Sequence, residues 1–144
     1  QFLQNIPTLC RQQSLKILIV DDVADNRNIF NAYLSKLPHE LSFAQDGIEA
    51  ISMIEKNKYD IVFMDIQMPG IDGYETTLRI RNMERKYNRP PTRIFACTAN
   101  SMLEDIHKSH QVGCDYHITK PLKKDALYTL IAYCVSVPNQ SIHT

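Results

Sequence analysis

An α/β fold built on a doubly wound, five-stranded parallel sheet in the order 2-1-3-4-5 is what the 144-residue sequence predicts. Three observations carry that prediction. Short, continuous apolar runs alternate with stretches of helical period, five times over. No internal repeat of the kind that marks solenoids or propellers interrupts the cycle. The length suits one hydrophobic core and leaves no room for a second domain. Strands alternating with helices imply a parallel sheet covered on both faces, and right-handed crossovers in so short a chain favour the doubly wound arrangement.

Residues 16–20, KILIV, form an apolar, β-branched run that fits a strand buried on both faces. From Asp25 to Leu37, Ile29, Phe30, Tyr33, Leu34 and Leu37 recur at helical spacing until Pro38 stops the helix. ELSFAQ is a short strand, and DGIEAISMIEKN a helix with Ile48, Ile51 and Ile54 on one stripe. DIVFM is the next buried strand. After a Met-Pro-Gly break, DGYETTLRIRNMERKY is a helix capped by its aspartate, and NRPP separates it from the strand TRIFACT. SMLEDIHKSHQVG carries Ser101 as N-cap, Glu104 in a capping box and Gly113 as stop. DYHIT and a helix from about Lys123 to Val135 complete the set. Residues 1–14 are expected to be a polar lead-in, 15–135 the domain and 136–144 a tail.

Sixteen basic residues cancel sixteen acidic ones, so the chain lacks the basic excess from which nucleic-acid and anionic-membrane affinity arises. Nucleic acid is therefore excluded as a partner, and direct membrane contact is not expected. Cys10, Cys97, Cys114 and Cys134 form no C-x-x-C pair and read as reduced thiols of a cytosolic protein, two or three of them in the core. No run is long enough to span a bilayer, and the N-terminus has no signal-peptide pattern. The missing initiator Met suggests a chain cut from a longer protein. Six basic residues from Arg79 to Arg93 read as a solvated helix face and loop.

In such sheets ligands bind outside the carboxyl ends of the strands. The residues there are Asp21 and Asp22 after the first strand, Asp65 after the third, Thr98 at the end of the fourth and Lys120 after the fifth. Strands one and three are neighbours in the predicted order, so three carboxylates converge. Like charges about 4 Å apart repel by roughly 1 kcal/mol in water and roughly 4 at a protein surface. Relief comes from raised pKa values or from a hard divalent cation such as Mg²⁺, with Lys120 as a fixed positive charge. Carboxylates, Mg²⁺, a hydroxyl and a lysine make a phosphoryl-transfer site, with Asp65 as nucleophile and Asp21 and Asp22 as metal holders. Neither a phosphate-binding loop nor a dinucleotide fingerprint is present, so the phosphate must arrive on a donor.

ILIVDD, VFMDIQMPGIDGYE, CTAN and ITKPL, in this order over roughly residues 15–135, resemble the receiver domain of two-component response regulators, a flavodoxin-like (βα)5 fold. The resemblance implies that Asp65 accepts a phosphoryl group from a phosphohistidine. It implies that Asp22, Asp65 and the Gln67 backbone carbonyl bind Mg²⁺ (or Mn²⁺), with Asp21 acting largely through water. Thr98 and Lys120 would contact the phosphoryl oxygens, and the Lys120-Pro121 bond would be cis. Phosphorylation would switch the face made by the fourth helix, fifth strand and fifth helix. Where the family has Tyr or Phe three residues before the lysine, this chain has His117, read as a partly exposed edge residue, with Tyr116 pointing to the opposite face. The wording DIQMPGIDGYE resembles receivers of hybrid histidine kinases. The implied partners are a histidine kinase dimerisation domain or a histidine phosphotransfer domain, the implied state a monomer or a weak phosphorylation-dependent dimer, and the implied location the cytoplasm, including the cytosolic part of a membrane-bound kinase.

Two other readings stand beside it. A phosphatase of the haloacid dehalogenase type also uses an aspartyl phosphate, but wants a second aspartate where Gln67 stands, and a cap domain. A vestigial site serving only as an interaction module would have no reason to keep the repulsion of three acids.

Overall fold

Ile17, Leu18, Ile19 and Val20 are buried on both faces of the sheet, and Ile61 to Met64 likewise. Side chains alternate across a strand, so each run feeds two cores. The structure, a computed structural model, describes residues 2–100 and 102–137. Its elements run α1(Phe2–Leu9), β1(Lys16–Val20), α2(Ala24–Leu34), β2(Glu40–Ala44), α3(Gly47–Lys56), β3(Ile61–Asp65), α4(Gly73–Lys86), β4(Arg93–Thr98), α5(Leu103–Val112), β5(Tyr116–Thr119) and α6(Lys124–Ser136). All strand pairs are parallel and the order is β2-β1-β3-β4-β5, as predicted.

One core holds Ile17, Ile19, Ile61, Phe63 and Phe95 against α2 and α6, with Phe63 in ring contact with both Phe30 and Phe95. The other holds Leu18, Val20, Val62, Met64, Ile94 and Ala96 against α3 and α4. Asp46 and Asp72 cap α3 and α4 by accepting from the backbone N–H three residues on, which satisfies a donor the helix leaves orphaned. Gly113 ends α5 at φ 109. That left-handed cap costs glycine little. Ser101, the predicted cap of α5, lies outside the described residues, and Met102 stands at the N-cap position.

Four local features differ from expectation. The α3 stripe is displaced: Gly47, Ala50 and Ile54 are buried, while Ile48 is 59% exposed. The cause is close approach of α3 to α4, since a Cβ on Gly47 would lie 2.1 Å from Thr76 Oγ1. Only a small residue fits that side, so the bulkier Ile48 turns out. Helix α2 stops at Leu34, three residues early, and Leu37 reaches the core from the following turn. Arg81 is buried rather than solvated. Its guanidinium donates to Glu84, Asp115 and the carbonyls of Thr92 and Gly113, and these acceptors offset the cost of burying its charge. All four cysteines are buried free thiols, more than the two or three expected.

The segment read as a lead-in carries α1, which lies against α6. Ile6 and Leu9 pack on the first core, Cys10 is fully buried, and its Sγ donates to the Tyr128 carbonyl at 3.1 Å. Pro7 is the sixth of the eight residues of α1, past the first turn, so the helix forgoes one of its own hydrogen bonds there.

Candidate functional site

Parallel pairing of β1 with β3 and β3 with β4 sets Val20 beside Met64 and Asp65 beside Cys97. The residues that follow or end these strands therefore share one crevice. One ligand oxygen each from Asp21, Asp22 and Asp65 lies within 4.8 Å of the others. Asp21 and Asp65 are buried, 1% and 4% exposed, and Asp22 is half-buried.

Lys120 reaches in from the end of β5. Its Nζ donates to Asp65 Oδ1 at 3.0 Å and stands 3.8 Å from Asp21 Oδ2. Burial pushes the Asp65 carboxyl up to about 6. The Lys120 bond pulls it back, and the Asp21 charge adds to the rise. Burial works against the Lys120 charge as well, yet its bond to Asp65 and the two carboxylates hold its pKa above the ordinary value. The lysine stays an ammonium.

Asp21 is aimed by its neighbours. Its Oδ1 accepts from Val23 N at 2.9 Å and Asn26 Nδ2 at 3.3 Å, and Arg27 donates to its backbone carbonyl at 2.7 Å. Its Oδ2 is buried without a hydrogen-bond partner. An orphaned carboxylate oxygen among three acids is what a hard cation with oxygen ligands satisfies. This donor set fits Mg²⁺, and Mn²⁺ equally.

The sequence-predicted residues fall in place to different degrees. Asp21, Asp22, Asp65 and Lys120 are brought together. Thr98 ends β4 at the crevice, but its hydroxyl is engaged in its own loop, donating to Asn100 O at 3.0 Å and accepting from Asn100 N at 3.1 Å. Gln67 follows Asp65 closely, its N–H reaching Asp65 Oδ1 at 3.4 Å, with its side chain exposed. The Lys120-Pro121 bond is cis. His117 is partly exposed on the edge strand β5, where the register sets Tyr116 beside Phe95 of the first core and His117 beside Ala96 of the second, as alternation predicts, and the two rings come within 5.0 Å of each other at the open edge of the sheet. Sequence reasoning missed Asn26, Arg27 and Gly73. The first two stand one helical turn beyond the aspartate pair, facing back to it, and that spacing was the available signal. A Cβ on Gly73 would lie 2.3 Å from the Asp65 carbonyl oxygen, so α4 starts directly against the site.

A hydroxyl, an ammonium and three carboxylates at the carboxyl edge of a parallel sheet can accept and hold a phosphoryl group. Comparisons with known proteins agree. The family model described as the response regulator receiver domain matches residues 17–132. The autoinducer 2 sensor kinase/phosphatase LuxQ of Vibrio parahaemolyticus is 36% identical over 116 residues, covering 81% of this chain and 13% of that protein. The chain thus spans a small part of the length of such relatives. Among solved structures, the complex of the Saccharomyces cerevisiae histidine phosphotransfer signalling protein Ypd1 with the receiver domain of its downstream response regulator Ssk1 matches at TM-score 0.84 and 28% identity. That match covers 88% of this chain and 92% of the other. The receiver domain of sensor histidine kinase PA1611 from Pseudomonas aeruginosa, with a magnesium ion coordinated in its active-site cleft, matches at TM-score 0.74 and 31% identity. It covers 86% of this chain and 99% of that one.

Proposed function

The chain belongs to the response regulator receiver domain family of two-component and phosphorelay systems, and we propose that Asp65 is its phosphoacceptor, loaded from a phosphohistidine. The observation that carries this reading is the placing of the Lys120 ammonium 3.0 Å from Asp65 Oδ1, with Asp21 Oδ2, which has no hydrogen-bond partner, in the same crevice. An Asp65 oxygen attacks phosphorus, the O–P bond forms, and the P–N bond to the donor imidazole breaks. The imidazole nitrogen leaves with the bonding pair. Attack requires the carboxylate, so the pKa of about 6 leaves the nucleophile ionised at neutral pH.

Asp21, Asp22 and Asp65 would hold Mg²⁺ or Mn²⁺, with the Gln67 carbonyl as a further ligand, and the ion when bound supplies positive charge against the phosphoryl oxygens. Lys120 supplies the second positive charge without any rearrangement, because it already touches the acceptor oxygen. The Thr98 hydroxyl can turn to a phosphoryl oxygen only by leaving Asn100, so loading competes with the loop after β4. His117 takes the edge position beside that path and Pro121 follows the lysine. The output is a changed face on α5, β5 and α6.

The donor is a histidine kinase dimerisation domain or a histidine phosphotransfer domain, a pairing the yeast complex supports. The relationship to sensor kinases supports a place within a hybrid kinase, on its cytoplasmic side, as a monomer or a weak phosphorylation-dependent dimer. Among the described residues no helix is long and apolar enough to cross a membrane. Turnover is limited to self-phosphorylation and hydrolysis of the acyl phosphate.

Intact-mass measurement tests the reading. Incubation with a small acyl phosphate and Mg²⁺ should add one hydroxylamine-labile phosphoryl group, and Asp65→Asn should abolish it. No adduct with the unmodified chain would refute a working phosphoacceptor. Sustained turnover of phosphate esters would favour a phosphatase.

A further inference from the structure

Lys120 is fixed to the fold by its backbone as well as by Asp65. Its N–H donates to the Thr98 carbonyl at 2.7 Å, anchoring the strand side of the lysine loop to β4. On the other side the loop runs through exposed Pro121 to half-buried Leu122 before α6 begins. Tyr33, in the last turn of α2, places its hydroxyl 3.4 Å from the Leu122 carbonyl. Tyr33 is itself held, because the Tyr128 hydroxyl donates to the Tyr33 carbonyl at 3.0 Å. That carbonyl belongs to the set a helix end leaves without an intrahelical partner. The Tyr128 carbonyl in turn accepts from Cys10 Sγ, so α1 reaches the same chain of contacts. Leu122, Tyr33 and Tyr128 also pack on the first core.

Two phenol hydroxyls thus link the loop two residues beyond Lys120 to α2 and α6. A lysine side chain is flexible, and the value of its ammonium at Asp65 depends on where its backbone is held. We infer that Tyr33 and Tyr128 are positioning residues for Lys120, tying its loop to α2 and α6 so that Nζ stays at the acceptor oxygen. The inference rests on the phosphoacceptor reading for its kinetic consequence, though not for the contacts themselves.

Tyr33→Phe and Tyr128→Phe keep the rings and remove only the hydroxyls. Each should slow phosphorylation by an acyl phosphate with Mg²⁺ by about three- to tenfold, the worth of one neutral hydrogen bond. In a Lys120→Ala background neither should slow it further, because a residue acting through the lysine has nothing left to act on. Equal losses in both backgrounds, or no loss in either, would overturn the inference. Should the unmodified chain take no phosphoryl group, the phosphoacceptor reading falls. NMR of the unphosphorylated protein then decides the positioning role alone. Tyr33→Phe and Tyr128→Phe should move the Lys120 amide and ammonium resonances, and unmoved resonances would overturn it.

Discussion

Asp65 carries two demands that oppose each other: it must be buried enough to sit among charges, and ionised enough to attack. Burial raises its carboxyl to about 6 from an ordinary 3.8. Because the folded state holds the proton more tightly than the unfolded chain, the stability it contributes is full below about pH 3.8 and is lost as pH rises through about 6. Asp65→Asn, which cannot ionise, should therefore match the unmodified protein near pH 4. Above pH 7, free of divalent cations, it should be more stable, by at most about 3 kcal/mol. Mg²⁺ should narrow that gap by stabilising only the aspartate form. Thermal unfolding across pH, with and without Mg²⁺, measures both effects, and a gap that fails to open with pH would contradict the account. At this scale the sequence was informative where charge was concerned. Asp21, Asp22, Asp65 and Lys120 could be seen converging once the strand order was inferred. Asn26 and Arg27 were missed although their spacing from the aspartates was there to be seen, because polar residues in the first turn of a helix are ordinary unless the backbone shows what they face.

Gly73 shows how an element is set against the site. With a Cβ there 2.3 Å from the Asp65 carbonyl oxygen and 2.7 Å from Ile66 Cα, the obstacle is backbone and cannot rotate away. Gly73→Ala should cost about 1–3 kcal/mol in denaturant unfolding. It should also slow phosphorylation, since the start of α4 must push on the strand end that carries the acceptor. A stability loss with an unchanged phosphorylation rate would mean that α4 yields instead. Helix α1 contributes to the first core. Removing residues 1–12 strips Ile6, Leu9 and Cys10 from the first core and should destabilise the protein by about 2–4 kcal/mol. The denaturant midpoint tests it, and an unchanged midpoint would make α1 dispensable. Neither feature was legible as such. The apolar positions of α1, Phe2, Leu3, Ile6 and Leu9, fall at helical spacing, but Pro7 in their midst reads as a helix breaker, which hides a short helix. The α3 stripe was placed on Ile48 because hydrophobicity alone ranks isoleucine above glycine, whereas close helix packing reverses the choice.

The molecule as a whole was the most legible level. KILIV, IVFM and RIFACT are buried strands because their continuous apolar runs have no polar face to turn outward, and topology rules then leave few arrangements. From that frame the ends of β1, β3, β4 and β5 must meet, and they do. What the frame does not contain is the present engagement of Thr98 with Asn100 or the adjacency of the Tyr116 and His117 rings, both fixed by short loop and edge-strand geometry. The central claim is that this crevice takes a phosphoryl group from histidine onto Asp65. Its most direct test mixes the chain with a radiolabelled, histidine-phosphorylated phosphotransfer domain in Mg²⁺ and follows the label. The account predicts rapid movement of label to the chain in a hydroxylamine-labile form, and none to Asp65→Asn. Label that stays on histidine, or that moves to Asp65→Asn as readily, would contradict it.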